Sequence, residues 1–564
     1  METNLDQTPA ETVTPPPVKG GKKTILVISA LVVLLLVAGS AYAYTALDFF
    51  KSDKQVYLEA ETKGMVDLTK GLQKAYDGYQ NKYIKPYLEN TVNSKIEISA
   101  DLSGIVPPDP TAAILLDVLK NSKIIADTAQ DMKNQQLYSK VDLAVGGNNL
   151  IGMEYFTDKN KLALRIPAIY KKYGYADLKD RDKLQTKFGI PRLPKRLVTY
   201  SDYADALKIS QQDVDYLLQE YGNLYADSLI DSQFTSQKTT FVEGETKIKA
   251  REITLTLSES QFKELLKKFA GKMQNDEKLL DLIYNKQKTW IKLMEDSGNS
   301  LENQGIKEKS KDEIKASLKQ FNQDLDKNLQ QLKMPDGVKM TLLVDADDNI
   351  LDRKISFAES TSKVLIRTAS WLSQDKGKNY LVNIRSEEPT KVDVFDIQYT
   401  TKPENALTTK GTLAVTTKEI IAGKEKQLMQ FDTGYTVTKD GNKQQVDIMF
   451  SGQIEQETPQ KFTGSMKTTI VDNDKDKSKQ TDSVIELKFA QAPEESKNGP
   501  SLKVTIKGKD EFGTKLVMPK LDVNNSVDLA NVSDVELMQI QQEIQAGIQG
   551  FMIKNQALIM PFAQ

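Results

Sequence analysis

Ile253–Gln261, ITLTLSESQ, holds a strand and the start of a helix in direct succession. Ile253, Leu255 and Leu257 alternate with Thr254 and Thr256, the period of a strand with one buried face. Ser258 stands three residues before Gln261, the spacing at which each side chain satisfies the other residue's backbone N–H in a capping box. Phe262, Leu265, Leu266 and Phe269 then recur on one helical face. A strand that feeds straight into an amphipathic helix predicts an α+β body, with antiparallel sheet covered by helices.

The same two periods extend in both directions. Upstream, Phe234 to Leu257 reads as a hairpin turning at Glu243-Gly244-Glu245. Ser210 and Asp213 form a cap before Val214, Leu217, Tyr221 and Leu224. Val141, Leu143 and Val145 alternate up to the turn Gly146-Gly147-Asn148-Asn149, and a second turn at Asp158-Lys159-Asn160 extends the meander. Earlier still, Ile96, Ile98, Ala100 and Leu102 predict a strand, and Met65, Leu68, Leu72, Ala75, Tyr79 and Tyr83 form a helical stripe expected to lie in the core. Downstream, helices are predicted over about 277–295 and from the box Ser310–Glu313. Between Val338 and about Lys520 the chain reads as short alternating runs separated by turns such as Asp347-Asp348-Asn349 and Asp440-Gly441-Asn442. A last capping box, Ser533–Glu536, opens a helix whose Leu537, Ile540, Ile544, Ile548 and Phe551 are expected to pack on the sheet.

Thr24–Leu47 carries no charge across 24 residues. As a helix it would be about 36 Å long, against roughly 30 Å of bilayer hydrocarbon, so it is predicted to be a transmembrane anchor. Lys19, Lys22 and Lys23 predict a cytoplasmic N-terminus and an exported body. Ala41-Tyr42-Ala43 has the form of a signal-peptidase site, but the long leader and long apolar run favour retention. The expected organisation is a disordered tail (1–23), the transmembrane helix (24–47), an α+β domain (48–335) and a β-rich domain with a C-terminal helix (336–564).

Composition excludes more than it assigns. None of the 564 residues is Cys or His, which removes disulfides, thiolate chemistry, zinc–thiolate sites, histidine-ligated metals and Ser-His-Asp triads. The missing cysteine also rules out a lipid-modified anchor. Net charge is −2 with Lys and Glu interleaved, so no basic stripe suits nucleic acid. Asp345, Asp347 and Asn349 imitate a calcium loop, but Ile350 and Ser356 occupy the positions that need Gly and Glu. The comb Asp472, Asp474 and Asp476 is diluted by Lys475, Lys477 and Lys479, so both stretches read as turns. Gly508 to Lys515 has the glycine spacing of a phosphate loop, with its lysine in the wrong order and no helix following. No catalytic, cofactor-binding or metal-binding residue is singled out, no cofactor is expected, and the chain is predicted not to be an enzyme.

The evenly spaced hairpins, the join Ile253–Glu259 and the long amphipathic helices loosely resemble the half-barrel lipid and lipoprotein carriers of the LolA/LppX-like group. The whole chain also resembles single-anchor extracytoplasmic proteins of Bacillus-like Gram-positive bacteria. The resemblance implies large antiparallel curved sheets or half-barrels whose concave face is closed by helices over an apolar groove. The function expected from it is a membrane-anchored extracytoplasmic protein of the cell envelope binding a lipid or other apolar ligand. The alternative is an envelope structural or protein-interaction module, and a carboxylate hydrolase ranks last. Expected partners are the membrane through residues 24–47 and a lipid or an envelope protein, with no nucleic acid.

Overall fold

The computed structural model describes residues 51–104, 110–299, 301, 306–359, 361–455, 460–490 and 499–556. The predicted tail (1–23), the predicted membrane segment (24–47) and Ala41-Tyr42-Ala43 lie outside the described residues. Among the described residues, no helix is long and apolar enough to cross a membrane.

The chain begins with helix α1 (Asp53–Tyr79), which runs through a π-helical turn at Gln80–Ile84 into α2 (Lys85–Glu89). Strand β1 (Thr91–Ser103), helix α3 (Pro110–Lys120) and strands β2 (Ser122–Asp131), β3 (Gln136–Val145), β4 (Asn148–Asp158), β5 (Lys161–Ile166) and β6 (Tyr170–Asp177) follow. Helices α4 (Arg181–Phe188), α5 (Tyr200–Leu207) and α6 (Gln211–Asp227) lead to the hairpin β7 (Phe234–Glu243) and β8 (Thr246–Leu257). Helices α7 (Glu259–Asn275), α8 (Glu277–Asp296) and α9 (Lys311–Gln331) separate it from a meander. That meander comprises β9 (Val338–Val344), β10 (Ile350–Glu359), β11 (Ser362–Leu372), β12 (Lys378–Glu388), β13 (Lys391–Pro403) and β14 (Thr408–Ile421). It continues through β15 (Lys424–Asp440), β16 (Lys443–Ile454), β17 (Gln460–Asn473), β18 (Ser478–Ala490) and β19 (Ser501–Phe512). The short β20 (Ser526–Asp528) and helix α10 (Asp534–Lys554) end the described chain.

Local signals place the helices. Ser258 caps α7 and exchanges hydrogen bonds with Gln261, and the same box recurs at Ser310–Glu313 and Ser533–Glu536. Ser210 caps α6 through the N–H of Asp213. Where hairpins turn tightly, Gly244 and Gly441 adopt φ of 56°, in the left-handed region that only glycine enters without strain.

Among the described residues, all 20 strands belong to one sheet. Strands β7 to β19 pair in chain order, β19 pairs with β1, and β1 to β6 continue to the parallel strand β20. This corrects the expected sheets and half-barrels: a single open sheet runs through both halves of the body. The join is continuous in register, from Val92↔Phe512 to Ser103↔Ser501.

Helices cover the sheet at its β7–β10 end. There Tyr57, Ala60, Tyr225, Phe262 and Leu266 pack on Ile253, Leu255, Met340, Leu342 and Ile355, all nearly inaccessible to solvent. Each such side chain removed from water contributes roughly 1.5–3 kcal/mol. The opposite face of the same strands buries Phe241, Leu343, Leu351 and Ala369. Phe241 of β7 meets Trp371 of β11, ring centroids 5.7 Å apart, so the sheet curls locally over the five strands β7 to β11. A smaller cluster of Phe156, Ala163 and Tyr173, with Met518 and Leu521 against it, lies near the other end.

Helix α1 is tied to the sheet at its two ends. Glu61 pairs with Arg353 of β10, and beyond the π turn Tyr87 donates to Asp510 of β19 at 2.6 Å. Glu61 to Tyr87 spans about 39 Å at helical rise. The nine strand intervals from β10 to β19 span about 43 Å. The match means that this part of the sheet is spread out, since a ring closed over those strands would bring its ends together. The predicted core stripe on α1 is corrected by the same arrangement: Leu68, Leu72 and Tyr79 are 54%, 63% and 52% exposed. Helix α10 buries none of its residues and touches the sheet near Ile169, where Gly547 leaves no room for a side chain.

Candidate functional site: the uncovered span of the sheet

Beyond β11 no helix layer packs onto the sheet among the described residues; α1 alone bridges the apolar side, reaching Gln444 of β16 and Asp510 of β19 at its far end while Leu68 and Leu72 stay exposed, and the two faces of the sheet differ in chemistry. Residues paired across strands share a face, so the register gives each face row by row. One row runs Val382, Ile397, Val415, Phe431, Gly452, Phe462, Phe489 across β12 to β18. The next continues through Phe450, Gly464, Leu487, Leu502 and Leu102. A third carries the pattern on through Ile506, Ile98, Ile124, Leu143 and Ile151. These central rows contain no charged residue. On the reverse, one row reads Asp396, Thr416, Gln430, Gln453, Lys461, and another Asp432, Ser451, Thr463, Lys488, Ser501. One face is therefore apolar and the other polar from β12 round to β4.

Glycines let the aromatic rings lie down on the apolar face. Phe450 of β16 opposes Gly464 of β17, and Phe462 of β17 opposes Gly452 of β16. A side chain at either glycine would run into the facing ring, so each ring occupies the space its partner leaves. Toward one strand end, Tyr380, Tyr399 and Tyr435 form a ladder with centroid spacings of 5.8 and 6.4 Å. The hydroxyls of Tyr399 and Tyr435 lie 2.7 Å apart.

The polar face holds a trough of about 930 Å³ beside the β11–β12 turn. Thr412, Thr436, Asp447 and Lys467 line it, and Asp375 with Lys402 stands at its rim at 2.9 Å. A Ser373 hydroxyl bond and then Lys402 hold the Asp375 carboxyl down at about 2. Oδ1 of Asp447 is buried without a hydrogen-bond partner among the described residues.

The acidic stretches of the sequence serve turns. Asp345 accepts from the N–H groups of Asp347 and Asn349, both at 2.9 Å, and closes the β9–β10 turn. Asp474 and Asp476 fall in the β17–β18 turn, and Gly508 lies inside β19 opposite Ile96. Among the described residues, no group of three or more acidic side chains could hold a metal ion. Sequence reasoning missed the buried acids. Glu154 accepts from Arg165 at 2.8 Å, from Tyr138 at 3.0 Å and from Tyr173. Asp352 meets Arg367, which also reaches Glu243 across the curl. Glu154 is fully engaged and Asp352 is held through Oδ2, its Oδ1 buried without a partner among the described residues, so both act as struts between neighbouring strands. Only the register that brings those strands together could have revealed them.

No protein-family model matches the chain, and no curated protein matches it. Among solved structures, similar ones include the CymD monoaromatic hydrocarbon channel, at 6% identity, covering 77% of this chain and 93% of that one, with a TM-score of 0.20. OpdQ of Pseudomonas aeruginosa matches at 6% identity over 76% of this chain and 99% of that one, TM-score 0.23. OmpT, an outer membrane protein of Vibrio cholerae, matches as a loop-deletion mutant at 5% identity over 75% and 98%, TM-score 0.21. Superposition at this level carries no argument about this chain's fold or activity.

The geometry departs from the carriers that the sequence resembles, since helices pack on the sheet at its β7–β10 end and only α1 bridges the rest of its apolar face. One continuous sheet with helices packed only at its β7–β10 end corrects the readings drawn from that resemblance: the half-barrel carrier, the Gram-positive single-anchor family, and the extracytoplasmic body holding a lipid in a helix-closed groove. The single-pass placement rests on residues 24–47, which lie outside the described residues, and none of the described helices is long and apolar enough to cross a membrane.

Proposed function

We propose that this chain is a non-catalytic, membrane-associated transport protein: its uncovered apolar face lies against lipid hydrocarbon, and its polar face walls an aqueous path for small polar solutes. The observation that carries the reading is the segregation of the two faces from β12 round to β4, with no helix layer packed on the apolar one among the described residues and only α1 bridging it. Charged side chains are costly in hydrocarbon, and the central rows contain none. The height fits too. Phe462 to Ile470 on β17 spans about 27 Å, close to the roughly 25 Å apolar band of membrane-spanning sheets. Every strand in the span pairs on both sides, so its backbone groups are satisfied, and the unpaired edges at β7 and β20 fall outside it.

The test places tryptophan on each face of one strand, Phe450→Trp and Ser451→Trp, in the full chain reconstituted with brominated lipid. Quenching of the first and not the second is expected. Equal quenching of both by aqueous iodide would overturn the hydrocarbon contact. Conductance in planar bilayers tests the aqueous path separately, and silence there refutes the path while leaving the membrane contact standing.

A further inference from the structure

The basic, proline-containing segment between Lys179 and Arg196, which includes α4, runs over the end of α8 and lines a cavity of about 680 Å³ there. We propose that this cavity binds a phosphate monoester carried on a small organic body. Among the described lining residues, Arg181, Arg192, Lys195 and Lys307 stand against Glu295 and Glu308, four cations to two carboxylates, an excess of two positive charges. A phosphate monoester brings about −1.5 to −2 at pH 7 and balances that excess. Arg192 and Lys307 form no ion pair among the described residues, and the carboxylate nearest Arg181, on Asp182, is itself 84% exposed. Planar guanidinium forks are suited to bidentate contact with phosphate.

The cavity is also built for more than an ion. Ile291 and Leu301, 7% and 8% exposed, form an apolar floor beneath the charges, and the volume lies in the range of small-molecule sites. The wall is held in place before any ligand arrives. The N–H of Lys195 donates to the Asp296 carbonyl at 2.8 Å, and Arg196 grips the carboxylates of Asp296 and Asp202 at 3.1 and 3.0 Å. Gly298, at φ 83°, lies so close to the Pro194 backbone that only glycine fits. Arg196 thus positions the segment and leaves Arg192 free to meet a ligand.

The experiment is a ³¹P NMR titration of phenyl phosphate with the full chain in detergent, with phenol observed by ¹H NMR as a neutral control. Line broadening of phenyl phosphate and not of phenol is expected. Arg192→Ala with Lys307→Ala should weaken binding at least tenfold without altering the thermal midpoint, and Arg192→Lys should fall between. No broadening with the wild type, equal broadening of phenol, or unchanged affinity in the double variant would each overturn the proposal. Competition by phosphatidic acid vesicles would assign the site to a lipid headgroup, and failure to compete to a soluble phosphomonoester; both sustain it. The titration is independent of bilayer conductance, so the transport reading and the phosphate site can fail separately.

Discussion

Arg353 of β10 forks onto Glu61 of α1, Nε to Oε1 at 3.2 Å and Nη2 to Oε2, and the glutamate is only 2% exposed. This pair fixes the helix to the covered end of the sheet. Two charges out of water are worth keeping only while both are present. Glu61→Ala should therefore cost about 3–5 kcal/mol by leaving a buried guanidinium unmatched. Glu61→Leu with Arg353→Met should recover most of that loss. Urea unfolding of the two variants checks it, and a double variant as unstable as the single one would contradict this account of the pair.

The apolar face is expected to be intolerant of charge in a lipid-dependent way. Ile485→Arg places a guanidinium in a central apolar row of β18, at about 2–4 kcal/mol if that row lies at the bilayer midplane. Glu486→Arg, one residue along, points to the other face and should be nearly silent. Flotation with liposomes reads the difference, and equal flotation of both variants would count against the hydrocarbon contact.

A glycine-to-valine change tests the facing rings. Gly464→Val drives a branched side chain into Phe450 and the Glu486 carbonyl, and should destabilise by about 1–3 kcal/mol. Combining it with Phe450→Ala should restore part of the loss. Thermal unfolding of the single and double variants measures the coupling.

At alkaline pH, stability should respond to Tyr216. Its hydroxyl donates to Asp276 at 2.7 Å, and burial first, then that carboxylate, pushes the phenol up to about 12. A raised folded value means that the contribution is complete below about 10, the unfolded value, and is lost as pH rises toward 12. Tyr216→Phe should remove that extra slope, at a neutral-pH cost of about 0.5–1.5 kcal/mol. For Asp276, burial raises the carboxyl, but the Leu279 N–H and the two tyrosine hydroxyls outweigh it and hold the carboxyl below its usual range. Its contribution is present above the ordinary aspartate value and disappears as pH falls through the lowered one. Denaturant midpoints measured on either side of these windows check both signs.

Helices and turns were readable because their causes are local: Ser258 meets Gln261 within four residues, and Gly244 turns within its own hairpin. Sheet order was not readable, because β1 lies beside β19 through pairs such as Ile98↔Ile506 that no short window contains. Periodicity marked Leu68 and Leu72 as one face of a helix correctly, yet it cannot say whether anything lies opposite that face. The alternation that separates Phe450 from Ser451 was visible strand by strand. That it lines up across the span depends on registers set by turn lengths. No local pattern marks the phosphate candidate, since Arg192 and Lys195 stand beside Pro191 and Pro194 while its floor comes from Ile291 and Leu301 a hundred residues later.

The β1–β19 join also sets an order in time. Ile98 leaves the ribosome 408 residues before Ile506, its partner. At about 5–20 residues per second, β1 waits roughly 20–80 s with one edge unpaired. During that interval β2 can occupy its other side, but the free edge is open to any extended strand nearby. Synthesis therefore has to be completed almost to the end before the two halves can be stitched into one sheet, and a chain truncated before Ser501 would keep that edge exposed for its whole lifetime.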